Sequence, residues 1–165
     1  MRKLSSLLSI GLLAVAVPAA ATSVSVSFVQ PERYTDASYS HPYATEKDRA
    51  EVQRDIAQHF QRLAERRLPA NEELRIEVLD VDLAGWFEPF RFRTAADVRI
   101  IRDIAWPRMK LRYTLLRDGQ PLASGEEQLV DMNYLMNSNV YSGSDRLRYE
   151  KAMMDDWFEK RFSAH

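Results

Sequence analysis

Met109, Leu111, Tyr113 and Leu115 alternate with Lys110, Arg112 and Thr114, and the run ends in Asp118-Gly119 before a second extended stretch from Leu122 to Val130. A period of two puts one set of side chains on each face of a strand, and Asp-Gly is a strong turn signal between two such runs. The segment therefore commits to an antiparallel hairpin with one apolar and one wet face. Glu126, Glu127 and Gln128 mark the return strand as the wetter edge. A hairpin of this kind is not stable alone, and its apolar face must be covered by another layer.

Two amphipathic segments supply that layer. Thr45 and Asp48 stand at capping-box spacing, and behind them Val52, Ile56, Phe60 and Leu63 recur as one helical stripe. Pro69 limits this helix to about Arg67 or Leu68. A last helix, opened by Asp145, carries Tyr149, Met153, Met154, Trp157, Phe158 and Phe162. Further strands are expected at Val24, Val26 and Phe28 and at Leu74, Ile76 and Val78. After Val78 the apolar parity shifts to Leu79, Val81 and Leu83, which predicts a bulge near Val78. Val98, Ile100 and Ile101 suggest a short extended piece. The expected fold is α+β: an antiparallel or mixed sheet of four to five strands, with two main helices packed on one face.

Ahead of this pattern, Arg2 and Lys3 precede an apolar run from Leu4 to Val17, then Pro18 and Ala19-Ala20-Ala21. That is the layout of a cleavable signal peptide over residues 1–21, leaving residues 22–165 as one domain. The run falls short of the roughly 20 residues a membrane span needs, and serines and Gly11 dilute it. No cysteine follows it, or occurs anywhere in the 165 residues, so a lipid-linked cysteine, a disulfide framework and a Cys-ligated zinc are all excluded. The expectation is a periplasmic protein without a transmembrane anchor, and export also removes it from nucleic acid. Five glycines leave no phosphate-cradling loop, three histidines supply a metal site poorly, and no Gly-x-Ser-x-Gly elbow is present; no cofactor is expected.

Five ordered stretches resemble an exported bacterial family known only as a domain of unknown function, number 3016. They are Phe28 to Ala37 (FVQPERYTDA), Asp80 to Gly85 (DVDLAG), Leu111-Arg112-Tyr113, Asp131 to Leu135 (DMNYL), and Tyr149-Glu150-Lys151 running into Asp155-Asp156-Trp157-Phe158. The resemblance spans nearly all of the chain after the leader. It implies a periplasmic setting in Gram-negative bacteria and one α+β domain, and it brings no activity, catalytic residue or cofactor.

Three features offer surface chemistry. Residues 91–117 carry a net charge of +6 in a chain whose total is -1, with Arg99, Arg102, Lys110 and Arg112 as the candidate contacts for an acidic partner. The plain alternative is pairing across strands with acids such as Glu126 and Glu127. Trp86, Phe87, Phe90 and Phe92 form an aromatic run suited to a partner-binding tip, or to closing an end of the core. Asp80 and Asp82 point to the same face of a strand, roughly 6–7 Å apart, and are the weak candidates for a metal or an acid–base pair; the plain reading is two carboxylates facing water. Tyr34, Tyr39, Tyr43, Tyr134 and Tyr141 sit in polar loops, either to recognise peptides or glycans or to interlock the loops. His59, beside Phe60, reads as a helix-surface or boundary residue.

The expected function is a non-enzymatic periplasmic binding or adaptor domain, contacting an envelope protein or an anionic envelope polymer through Trp86, Phe87, Phe90, Arg99, Arg102, Lys110 and Arg112. The alternative is a carboxylate- or metal-dependent hydrolase using Asp80, Asp82 and Asp131, which needs those three to converge in a concave pocket. A structural envelope factor with no discrete ligand is the third.

Overall fold

The computed structural model describes residues 23–40, 42–88 and 98–162. The expected leader, His41, His165 and the stretch with Phe90, Arg91, Phe92 and Arg93 lie outside them. In chain order the elements are β1 (Ser23–Phe28), a 3-10 turn (Pro31–Arg33), α1 (Glu46–Arg67), β2 (Glu72–Asp82), β3 (Trp86–Phe87), β4 (Arg99–Ile100), β5 (Arg108–Arg117), β6 (Gln120–Val130) and α2 (Arg148–Phe162). The main sheet runs β1-β2-β5-β6. β1 pairs parallel to β2 through the α1 crossover, and the other two pairings are antiparallel. The expected α+β fold with a mixed sheet is what forms. β3 and β4 make a separate two-stranded ladder.

The hairpin turns as its sequence demands: Asp118 and Gly119 both have positive φ, 51° and 77°, the backbone of a type I′ turn. The parity change in β2 is also real. Register shifts between Val78 and Asp80, so Leu79 is the extra residue, and Val81 stays on the buried face with Leu74, Ile76 and Val78. Without the bulge Val81 would point outward and Asp80 inward.

Both helices cover one face. Val52, Ile56, Phe60 and Leu63 of α1 and Met153, Met154, Trp157, Phe158 and Phe162 of α2 join Leu74, Ile76, Leu111, Tyr113 and Leu115 of the sheet in one hydrophobic cluster. Each fully buried aliphatic or phenyl side chain contributes roughly 1.5–3 kcal/mol by leaving water. Gly125 in β6 faces Tyr113, and a Cβ there would lie 3.1 Å from Tyr113 Cε1; the missing side chain leaves room for the phenol ring. α2 is tied to the edge strand by Trp157 Nε1, which donates to Glu127 at 2.9 Å.

α1 begins where the capping box predicts. Asp48 N–H donates to Thr45 Oγ1 at 3.2 Å and Thr45 N–H donates to Asp48 Oδ2 at 3.1 Å, which satisfies two amides the helix leaves open. It ends at Arg67, with Leu68 as C-cap. Thr45→Ala is expected to cost about 1 kcal/mol, read as a lowered urea midpoint with an unchanged slope. α2 departs from expectation. It starts at Arg148, three residues after Asp145, because Asp145 accepts from Leu147 N–H at 2.9 Å and from Arg148 N–H at 3.2 Å and so holds a turn ahead of the helix.

Candidate functional site

Lys110 and Arg112 lie where the alternation puts them, on the sheet face that no helix covers. They are not alone there. Lys110 meets Glu126 at 2.8 Å, while Arg112 bridges Glu77 at 2.7 Å and Glu126 at 2.9 Å. Arg108 pairs with Asp82. Acidic residues of β2 and β6 flank basic residues of β5, so Glu73, Glu77, Asp80, Asp82 and Glu126 stand against Arg75, Arg108, Lys110 and Arg112. Three of the eight basic residues in the +6 run, Arg108, Lys110 and Arg112, thus join a near-neutral ladder once strands are neighbours. The Lys110 and Arg112 bonds hold the Glu126 carboxyl below its ordinary range. Exposed pairs of this kind contribute little to stability.

Asp80 and Asp82 share a shallow hollow of about 290 Å³ with Thr35, Arg108 and Lys110. Asp80 accepts from Thr35 N–H and Thr35 Oγ1, both at 2.7 Å, and from Val81 N–H at 2.9 Å. Burial raises the Asp82 carboxyl more than Arg108 lowers it. Asp131 lines a different hollow with Met132, Asn133 and Asn137, and accepts from Asn133 N–H and Asn137 Nδ2, both at 3.0 Å. Among the described residues no three His, Asp or Glu side chains gather to hold a metal ion. The three aspartates fasten loops and strands rather than converge.

Four other candidates do meet. In the small ladder Trp86 pairs with Ile100 and Phe87 with Arg99. The Arg99 guanidinium lies 4.6 Å from the Phe87 ring centroid, and that of Arg102 lies 5.9 Å from Trp86. Gly85 permits the approach. Its φ is +78°, and a Cβ there would sit 2.4 Å from the Ile100 carbonyl oxygen, a distance no side chain tolerates. Arg99 donates to Asp36 Oδ1 at 2.8 Å and to the carbonyls of Ser38 and Gly85 at 2.5 and 2.9 Å. It thereby pins the loop after β1 to this end of the sheet. The aromatic run is half-buried under arginines, and Phe90 lies outside the described residues.

Behind Arg99 opens a cleft of about 250 Å³, lined by Tyr39, Leu83, Ala84, Ile101, Gly143, Asp145, Arg146, Arg148, Tyr149 and Glu150. Its floor is the start of α2 and its walls are the loops after β1 and β2. Most of its charges are paired. Arg99 meets Asp36, Arg146 meets Glu51 at 2.7 Å while its guanidinium stacks over Tyr39, and Asp145 meets Lys151 at 2.5 Å. Two are not. Arg148 touches the Tyr149 ring, 5.1 Å away, but has no carboxylate partner among the described residues. Glu150 is 2% exposed. Its Oε1 accepts from Ala84 N–H at 2.7 Å, while its Oε2 has no partner among the described residues. Burial outweighs that bond and the charge of Arg99, pushing the Glu150 carboxyl up to about 7. Of the four buried side-chain polar atoms without a partner among the described residues, three belong to this cleft: Arg99 Nε, Arg148 Nε and Glu150 Oε2.

Sequence reading missed this place, although its signal was there. Glu150 stands three, four and seven residues before Met153, Met154 and Trp157, so an acid occupies the apolar stripe of α2. The apolar spacing predicts a buried Tyr149 instead, which is only partly covered. His59 corrects a similar expectation. It is buried, because it sits three residues after Ile56 on the same stripe, and its Nε2 meets Asp155 Oδ1 at 2.8 Å. Burial raises the Asp155 carboxyl, but bonds from His59 and from Tyr141 Oη, at 2.5 Å, outweigh it and leave it below its usual range. The loop tyrosines interlock the structure in the same way. Tyr34 donates to the Val78 carbonyl at 2.8 Å, Tyr39 to Asp55 at 2.9 Å and Tyr134 to the Arg102 carbonyl at 2.5 Å. Tyr43 remains exposed.

No helix among the described residues is long and apolar enough to cross a membrane. No curated protein and no solved structure matches the chain. The family described as Protein of unknown function (DUF3016) matches residues 22–160, which takes in the sheet, the cleft and nearly all of α2, and the chain belongs to that family.

Proposed function

We propose that this protein is a non-catalytic binding domain of the bacterial periplasm that engages an acidic envelope partner, protein or polymer, at the cleft over α2. The observation that carries the reading is Arg148. It is a partly buried arginine with no carboxylate opposite it among the described residues, in a cleft whose other cations are already matched. An unmatched guanidinium beside tyrosine rings is what recognition of an anionic group requires. The neighbouring Trp86, Phe87, Arg99 and Arg102 extend that surface, whereas Lys110 and Arg112 are occupied on the sheet. Export is supported by the charged, apolar and small-residue order of residues 1–21, and the family match begins one residue later.

The reading is tested by photo-crosslinking in cells from Ile101 at the cleft rim, from Phe87, and from Arg112 on the open sheet, with Leu111 as the buried control. Capture from Ile101 and Phe87 that Arg148→Glu abolishes is the expected result. Capture from Arg112 alone, or none above the Leu111 control, would overturn it. Fractionation supplies the second readout: the mature chain is expected in the periplasm with Thr22 as its first residue, and an intact leader in the cytosol defeats the assignment.

A further inference from the structure

We propose that the cleft over α2 recognises an organic carboxylate, held on the Arg148 guanidinium between Tyr39 and Tyr149, with Glu150 beneath it as the group that sets the charge of the site. This rests on the binding reading above and names the chemistry of its ligand. With Arg99, Arg146 and Asp145 each neutralised by a partner, the charge of the cleft reduces to Arg148 against Glu150. While Glu150 is protonated the site carries one net positive charge; once it ionises, the site carries none. The groups facing Glu150 are Arg99 from β4, Asp145 from the turn before α2, Tyr39 and Tyr134 from the flanking loops, and the Ala84 amide.

Donors dominate the unpartnered polar atoms that border the cleft. The Ala84 bond occupies Oε1, so the proton of neutral Glu150 sits on Oε2, and that hydroxyl joins the unpartnered Nε–H groups of Arg99 and Arg148. Two buried arginine N–H groups without acceptors, joined by a third donor when Glu150 is neutral, suit an oxyanion rather than a cation. Arginine presents a planar fork that a carboxylate fits in a bidentate manner. Leu83, Ile101 and the tyrosine rings line the walls. They offer apolar area that an organic acid covers and inorganic phosphate does not. Binding and Glu150 protonation are linked, so the anion raises the proton affinity of Glu150 and the proton raises the affinity for the anion.

Titration calorimetry of the mature chain tests this with N-acetyl-leucine, its amide, 4-methylpentanoate and inorganic phosphate, each at pH 5.5 and 8.5. N-acetyl-leucine is expected to bind at pH 5.5, about tenfold more weakly at pH 8.5, the size of one unit of pKa coupling, and with proton uptake. The amide should bind at least about tenfold more weakly than the acid, as expected when a charged bidentate contact is lost. If 4-methylpentanoate matches N-acetyl-leucine the ligand is a free organic acid; if it is weaker, the ligand is a peptide terminus. Arg148→Met should abolish binding, and Glu150→Gln should retain it while removing the pH dependence. An amide as tight as the acid, phosphate as tight as either, or no binding of any probe would overturn the carboxylate assignment. Such a result with Ile101 crosslinking intact leaves the binding reading standing. Should Glu150→Gln fail to fold, the pH dependence and proton uptake of the native chain decide the same point.

Discussion

Trp157→Ala should lower the free energy of unfolding by about 4 kcal/mol, the middle of the range for a buried aromatic truncation. Trp157 is 6% exposed and lies at the junction of three elements. Its ring meets Phe60 of α1 at 5.9 Å, Tyr113 of β5 at 5.8 Å and Phe162 of its own helix at 5.3 Å, all edge to face, the arrangement aromatic quadrupoles favour. The rings are braced from three directions, so the site cannot collapse to fill the void, and the cavity term adds to the lost transfer energy. Deleting the indole also removes the N–H that donates to Glu127. Arg161 still meets that carboxylate, which limits the polar part of the loss. Guanidinium titration of both chains should show a large drop in midpoint at similar slope. A change under about 1 kcal/mol would mean that α2 does not present this face to the sheet.

The same helix shows what the sequence discloses and what it withholds. Local rules made the hairpin, the capping box and the bulge legible, because each depends on residues a few positions apart. Asp118-Gly119 needs only its own positive φ values, and the shift from Val78 to Val81 is written in the apolar parity. The parallel pairing of β1 with β2 is not local. It joins Ser23–Phe28 to residues 50 positions away through the α1 crossover, and no short pattern encodes it. Charge behaves alike. Counting along residues 91–117 gives +6, yet Lys110 and Arg112 spend that charge on Glu77 and Glu126 from neighbouring strands. Arg99, in the same run, crosses to Asp36, 63 residues earlier. The cleft was hidden for the same reason. Tyr39, Arg99 and Glu150 are far apart in sequence and meet only when the loop after β1 folds onto the start of α2. What the sequence did carry was an acid on an apolar stripe, which is a stronger flag than an acid in a loop, since burial forces it to find a partner or keep its proton.

That constraint makes the stability of the protein depend on pH in a predictable direction. Glu150 is pushed up to about 7 by burial, from an ordinary value of 4.5, so between those limits the folded chain holds a proton that the unfolded chain has released. The unfolded state binds fewer protons there, and stability therefore falls as pH rises, by about 1.4 kcal/mol per pH unit. The contribution of the neutral carboxyl is complete below about pH 4.5, declines through the window and is lost above about pH 7. The total is about 3 kcal/mol. Glu150→Gln removes the titrating proton while its carboxamide oxygen still accepts from Ala84 N–H. Other carboxyls, such as Asp155 with its lowered value, shift stability in the opposite sense as pH falls, so the native profile alone mixes the two. The difference between variant and native chain isolates Glu150, because all other groups are common to both. Measured by urea unfolding at half-unit steps from pH 4.5 to 8, that difference should move in favour of the variant by about 3 kcal/mol. A difference that stays constant across the series would mean that Glu150 is already ionised at the bottom of the window. The cleft would then carry a fixed carboxylate against Arg148, and the anion site would have no proton to switch it.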